Sequence, residues 1–269
     1  MGEMPLRSVR RALAVLRAFE DPPHVLGISD LARALGLSKG TVHLVVGVLE
    51  AEGFLEREGE SGKYQLGPAI YRLTAAARHD LRLAAREPLR RLYAETSFPA
   101  YLAVLLDGRA VVVEKAGPTL TFLPVLDVGT PVPLHSSALG KALLAFRPEA
   151  EREALLERLA AAGLPATTPA TITDPAGLRE ELRRIREEGL ALDREESLPG
   201  VVCLAAPVRG ATGETLAAVS VAAPAQALPE DDPARPRTVV AEMVRRTAAS
   251  ISYRLGLRDS ESRFESRED

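Results

Sequence analysis

Between Ile28 and Leu55 the apolar positions follow two separate helical periods, broken by a single glycine. Leu31, Ala32 and Leu35 fall at helical spacing behind Ser29, a candidate N-cap, and Gly36 suits the left-handed conformation that ends a helix. Ser38 can cap the next helix, in which Val42, Val45, Val46 and Leu49 form the apolar stripe. Lys39, Thr41, His43, Leu44 and Gly47 are then left on the outward side. Upstream, Val9, Ala12, Leu13, Leu16 and Phe19 keep the spacing of a third packed helix. Downstream, Phe54 to Arg57 and Lys63 to Gly67 alternate as two strands around the glycine-rich tip 58–62. Helices joined by a tight turn and followed by a hairpin predict a winged helix-turn-helix, which lays its second helix in a groove of duplex DNA. Helical domains that never meet nucleic acid share the first part of this pattern.

The remainder reads as a second, α+β unit. Pro68 opens a long helical stretch through Ile70, Leu73, Leu81 and Leu92, with an interruption expected at Pro88. From Ala100 the period becomes that of strands: Ala100 to Leu106, an Asp107-Gly108 turn, then Arg109 to Ala116. Thr119 to Val125 supplies a further strand, and helices follow over 136–146, 148–162 and 174–188, the last capped by Asp174, with Pro175 at its first position and Gly189 as its stop. Strands over 190–193, 201–208 and 215–222 and a helix over 233–255 complete a sheet with helices packed against it. The expected organisation is a winged helix-turn-helix over 1–67, a linker helix over 68–87, an effector domain over 88–257 and a disordered charged tail over 258–269.

Composition narrows the function. The 269 residues can bury two cores, and no apolar run approaches the length of a membrane span, so a cytoplasmic protein without membrane attachment is expected. One cysteine, Cys203, excludes an internal disulfide, and four scattered histidines are not at ligand spacing, so neither metal nor cofactor is expected. The net charge of −3 does not announce a nucleic-acid partner. Its distribution has the right sign: residues 1–90 carry thirteen Lys or Arg against eleven Asp or Glu, the rest twenty-one against twenty-six.

Three separated stretches, GLSKGTVHLVVGVLEAEGFL with YQLG, LHSSALGKALLA at 134–145, and LALDREESLPGVVCLAAPV at 190–208 followed by LAAVSVAAP, together resemble the IclR-type family of bacterial transcriptional regulators over nearly the whole chain. The resemblance implies a DNA-reading domain, a linker helix and a GAF-like mixed α/β domain that binds a small organic acid. It further implies homodimers or dimers of dimers on operator duplex. Candidate DNA contacts are Ser38, Lys39, Gly40, Thr41, His43 and Leu44, with Arg57 and Lys63 of the wing and Arg7, Arg10, Arg11 and Arg33 on phosphates. Relatives often carry Arg where this chain has Leu44, and Glu56, Glu58 and Glu60 make the wing acidic.

The helix start at Ser137, Ala138, Leu139 and Gly140 leaves main-chain N–H groups at the positive end of a helix dipole, where a carboxylate fits. The resemblance adds Asp193, Cys203 and Ser220 across the pocket, with Phe122, Leu123 and Val125 as further wall. Where the family often has a serine two residues beyond Ser220, Ala222 removes a donor and favours a larger, aromatic or branched acid. Each residue also has a plainer reading: Cys203 as inert core, Asp193 as a cap or ion-pair partner, Lys141 as a solvated or structural charge, His135 as a helix-start residue. The leading expectation is a ligand-responsive regulator without catalytic residues. Two rivals remain: a small-acid hydrolase with Cys203 as nucleophile, His135 as base and Asp193 as orienting group, and an adaptor whose winged helix binds protein.

Overall fold

The computed structural model describes residues 4–20, 23–59, 61–76, 79–118, 126–228 and 236–256. They form two compact units, Met1–His79 and Asp80–Asp269.

In the first unit, α1 (Met4–Arg17), α2 (Ile28–Leu35) and α3 (Lys39–Ala51) precede a hairpin of β1 (Leu55–Glu58) and β2 (Lys63–Leu66), and α4 (Ala69–Ala76) follows. The axes of α2 and α3 turn by 115°, inside the range of helix-turn-helix pairs. Val15, Phe19, Leu31, Val42, Val46, Leu49, Leu55 and Tyr64 make the core, and Leu26 pairs with Tyr64 to tie the loop before α2 to the wing. Two expectations need correction. Ala12, Val15, Leu16 and Phe19 form the packed face of α1, whereas Val9 and Leu13 are exposed, because the helix carries two apolar stripes that spacing alone does not rank. The N-cap of α2 is Gly27, not Ser29: Asp30 reaches back so that its Oδ2 accepts from the Gly27 N–H at 3.1 Å, which starts the helix one residue before the serine.

The second unit opens with α5 (His79–Thr96) and contains β3 (Ala100–Leu106), β4 (Arg109–Ala116), β5 (Pro131–Val132), α6 (Ala138–Ala145), α7 (Glu149–Ala162), α8 (Pro175–Glu188), β6 (Ala191–Arg194), β7 (Val201–Arg209), β8 (Thr215–Pro224) and α9 (Pro236–Arg254). The strands form one sheet in the order β5-β4-β3-β8-β7-β6, each neighbouring pair antiparallel. One face packs on α5 and α9 through Leu89, Leu92, Leu102, Leu204, Val219 and Val244. The other packs on α6, α7 and α8 through Leu139, Leu143, Leu156, Leu182, Ala205 and Ala218. The β3–β4 hairpin turns through Asp107 and Gly108, both at positive φ as an Asp-Gly turn requires.

The interruption expected at Pro88 is absent, since α5 runs through it. A helix-interior proline leaves the carbonyl four residues back without its donor, and here Arg254 Nη1 of α9 lies 3.5 Å from the Ala84 oxygen. The expected strand over 119–125, with Phe122, Leu123 and Val125, and the tail over 258–269 lie outside the described residues.

Candidate functional site

Ser38 opens α3 as expected: its Oγ accepts from the Thr41 N–H at 3.2 Å and lies 2.9 Å from the Thr41 hydroxyl. That cap fixes the helix so that Val42, Val46 and Leu49 enter the core, and the outward residues follow from the helical period. Lys39, Gly40, His43, Leu44, Gly47 and Val48 are all exposed, and Thr41 is half-buried. No wall of the unit's own covers them.

The wing contributes less free charge than expected. Arg57 donates to Glu50 Oε1 at 3.0 Å and stacks 5.3 Å from the Tyr64 ring centre, and the Glu50 hydrogen bond and charge raise its pKa further. Glu56 accepts from Gln65 at 2.7 Å. Lys39 and Lys63 carry no ion pair among the described residues, which leaves these two cations on α3 and the wing unneutralised.

The second candidate region is built around α6, whose residues are all buried. Ser137 is its N-cap: its Oγ accepts from Gly140 N–H at 3.0 Å and donates to the Pro133 carbonyl at 2.6 Å. A Cβ on Gly140 would lie 2.2 Å from that same carbonyl oxygen, so the glycine is required by the close approach of 133–134. Ser137 and Gly140 are therefore committed to the cap, and the N–H groups of Ala138 and Leu139 are left without a partner among the described residues.

Strand register brings the distant candidates to the face on which α6 lies. Asp193 pairs with Cys203 and Cys203 with Ala222, while Ser220 pairs with Ala205 on one side and Tyr101 on the other. These positions share the pleat parity of Ala191, Ala218 and Ala103, which pack on α6. Asp193 is fully buried, and its carboxylate caps the turn after β6. Oδ1 accepts from Glu196 N–H at 2.7 Å and Ser197 N–H at 3.2 Å, and Oδ2 accepts from the Ser197 hydroxyl. Burial pushes its pKa up to about 6 against those hydrogen bonds.

Cys203 is half-buried, and burial, then the Asp193 charge, push its thiol well above 9.0. His135 Nε2 lies 3.1 Å from the Pro165 carbonyl oxygen, so the histidine is engaged elsewhere. A neutral thiol without an activating base does not make the nucleophile that the hydrolase rival needs. Lys141 is structural: fully buried, its Nζ donates to Glu196 Oε1 and Oε2 at 2.6 and 2.8 Å and to Glu181 Oε1 at 3.0 Å. Burial opposes the ionisation of Glu181, but Lys141 and Arg184 outweigh it and hold its pKa below 4.5.

Two residues were missed. Tyr101, nearly fully buried and beside Ser220, has no hydrogen-bond partner for its hydroxyl among the described residues, and burial raises its pKa to about 12. Ser136, also buried, has an Oγ without a hydrogen-bond partner among the described residues. In sequence both look like filler, one in an apolar strand and one beside a cap.

A model of the IclR helix-turn-helix domain matches residues 8–59, and a model of the C-terminal domain of the bacterial transcriptional regulator IclR matches residues 73–253. The chain belongs to the IclR family. It is 39% identical over 254 residues to the glycerol operon regulatory protein of Streptomyces griseus, an alignment spanning 93% of this chain and 97% of that one. The crystal structure of an IclR homologue from Microbacterium hydrocarbonoxydans in complex with 4-hydroxybenzoate superposes with a TM-score of 0.81 at 27% identity, covering 92% of this chain and 98% of that one. That of an IclR regulator from Alicyclobacillus acidocaldarius gives 0.79 at 27%, covering 93% and 99%. This IclR-family chain is thus a transcriptional regulator with a DNA-binding helix-turn-helix and a C-terminal effector domain, and not an enzyme. No single helix among its described residues is long and apolar enough to cross a membrane.

Proposed function

We propose that this regulator binds operator duplex as a homodimer and that a small organic acid, held at the start of α6, changes its operator affinity. The observation that carries the reading is the pair of unpartnered N–H groups on Ala138 and Leu139, at the positive end of a buried helix, where a carboxylate gains two hydrogen bonds and the dipole. Tyr101, Cys203 and Ser220 are neutral donors on the same sheet face, suited to a second oxygen of the ligand. Ala222 keeps the wall apolar and supports an acid with an aromatic or branched body, of which 4-hydroxybenzoate, the ligand of the Microbacterium homologue, is one example. Val9 and Leu13, exposed one turn apart on α1, support pairing of two copies.

Linkage supplies the mechanism: a ligand that favours one arrangement of two paired DNA-reading units must shift operator affinity by its differential binding. The test is a thermal-shift series with 4-hydroxybenzoate, aliphatic keto-acids and glycerol, repeated on Tyr101→Phe, with the mass in solution measured alongside. Stabilisation by an acid that weakens in the variant supports the reading. Stabilisation by glycerol alone, or a monomer at every concentration, overturns it.

A further inference from the structure

The outward face of α3 is unusual in what it lacks. Gly40, His43, Leu44, Gly47 and Val48 fall at i, i+3, i+4, i+7 and i+8 and form one stripe opposite the buried Val42, Val46 and Leu49. It contains no Arg, Asn, Gln or Lys, the side chains that read a base edge with two hydrogen bonds. In their place stand Leu44, 74% exposed, and Val48, 63% exposed, one turn apart. The fold does not ask for the two glycines. A Cβ at either would meet nothing within 4 Å, and Gly47, in the helix interior, is a poorer helix former than alanine. An open, flat strip that weakens its own helix is suited to a surface that must come very close.

We infer that this face reads thymine 5-methyl groups in the major groove, Leu44 and Val48 making the methyl contacts while Gly40 and Gly47 let the helix axis approach the base edges. The inference rests on the DNA-binding role of this helix and names its specificity. A thymine methyl is the apolar group that the major groove offers, so two exposed aliphatic side chains match A·T pairs at adjacent positions of a half-site. Lys39 at the start of the helix and Lys63 on the wing supply phosphate contacts that place the stripe without reading sequence. His43 is the hydrogen-bonding member of the stripe and sits beside Leu44.

The experiment starts with in-vitro selection by the full-length protein from duplexes with a randomised centre. The selected duplex is then remade with deoxyuridine at each thymine in turn, which removes the methyl and keeps every hydrogen-bonding group. Affinity is expected to fall about fourfold at one or two positions per half-site, the value of one buried methylene-sized group. Leu44→Ala should bind thymine and uracil equally at one of those positions and keep the wild-type ratio at the other. Gly47→Leu should weaken both duplexes roughly tenfold by blocking close approach, with no loss of helix content. Unchanged affinity with deoxyuridine everywhere, or wild-type ratios in Leu44→Ala, overturns the inference. Failure to enrich any duplex removes the DNA-binding role beneath it, a separate and recognisable result.

Discussion

Helices α3 and α6 begin with the same device and end in opposite situations. Each is opened by a serine whose hydroxyl accepts from the N–H three residues on, Ser38 from Thr41 and Ser137 from Gly140. After that α3 turns one stripe to its core and leaves the other bare, whereas α6 is surrounded by sheet and helices on every side. The cap decides where a helix starts; the surroundings decide whether its side chains or its main chain meet the partner. An exposed helix recognises with its flank. A buried helix has only its end to offer.

The difference can be pressed by mutation, most strongly at Lys141. Lys141→Ala leaves Glu196 buried without its cation and Glu181 with Arg184 alone, and is expected to cost about 3–5 kcal/mol, read as a lowered urea midpoint by circular dichroism. Asp193 comes next, through pH. Its folded pKa, about 6, lies above the ordinary 3.8, so its contribution to stability is full below the lower value and lost as pH rises through the higher one. Wild type should therefore gain about 2 kcal/mol over Asp193→Asn between pH 7 and pH 4, and a difference that does not vary with pH would refute the assignment. The two caps form a matched pair: Ser137→Ala is expected to cost about 2 kcal/mol and Ser38→Ala about 1 kcal/mol, because only the first leaves its partners away from water. Equal costs would break the comparison. Smallest of all, Leu44→Ala should change stability by less than about 0.5 kcal/mol, since the side chain touches little of its own protein.

What was legible in the chain was local. Ser38, Asp174 with Pro175, Gly189 and the Asp107-Gly108 turn each act within a few residues, and all were read correctly. Strands β3, β4, β6, β7 and β8 also emerged, because β-branched and small apolar runs between turn signals leave few alternatives, whereas the two-residue β5 carried no such signal. What escaped depended on distant partners. Where α5 runs through Pro88, the carbonyl freed at Ala84 lies 3.5 Å from Arg254 Nη1, far along the chain. The packed stripe of α1 is chosen by α3. Tyr101 looks like one more core residue until β3 pairs with β8 and sets it beside Ser220. Asp193, Cys203 and Ser220 came from family resemblance, and the sheet register that unites them is a property of the fold.

The Lys141 cluster constrains how the second unit can move. Lys141 rises from α6, Glu181 from α8 and Glu196 from the turn that Asp193 caps. The carbonyl of Glu196 is held in turn by the hydroxyls of Thr167 and Thr171, at 2.8 and 2.7 Å. Sliding α6 alone would separate opposite charges in a dry interior, at far greater cost than a small tilt of the whole assembly. Helix, neighbouring helix and strand end are thus tied together, so a shift of α6 carries α8 and the turn after β6 along with it.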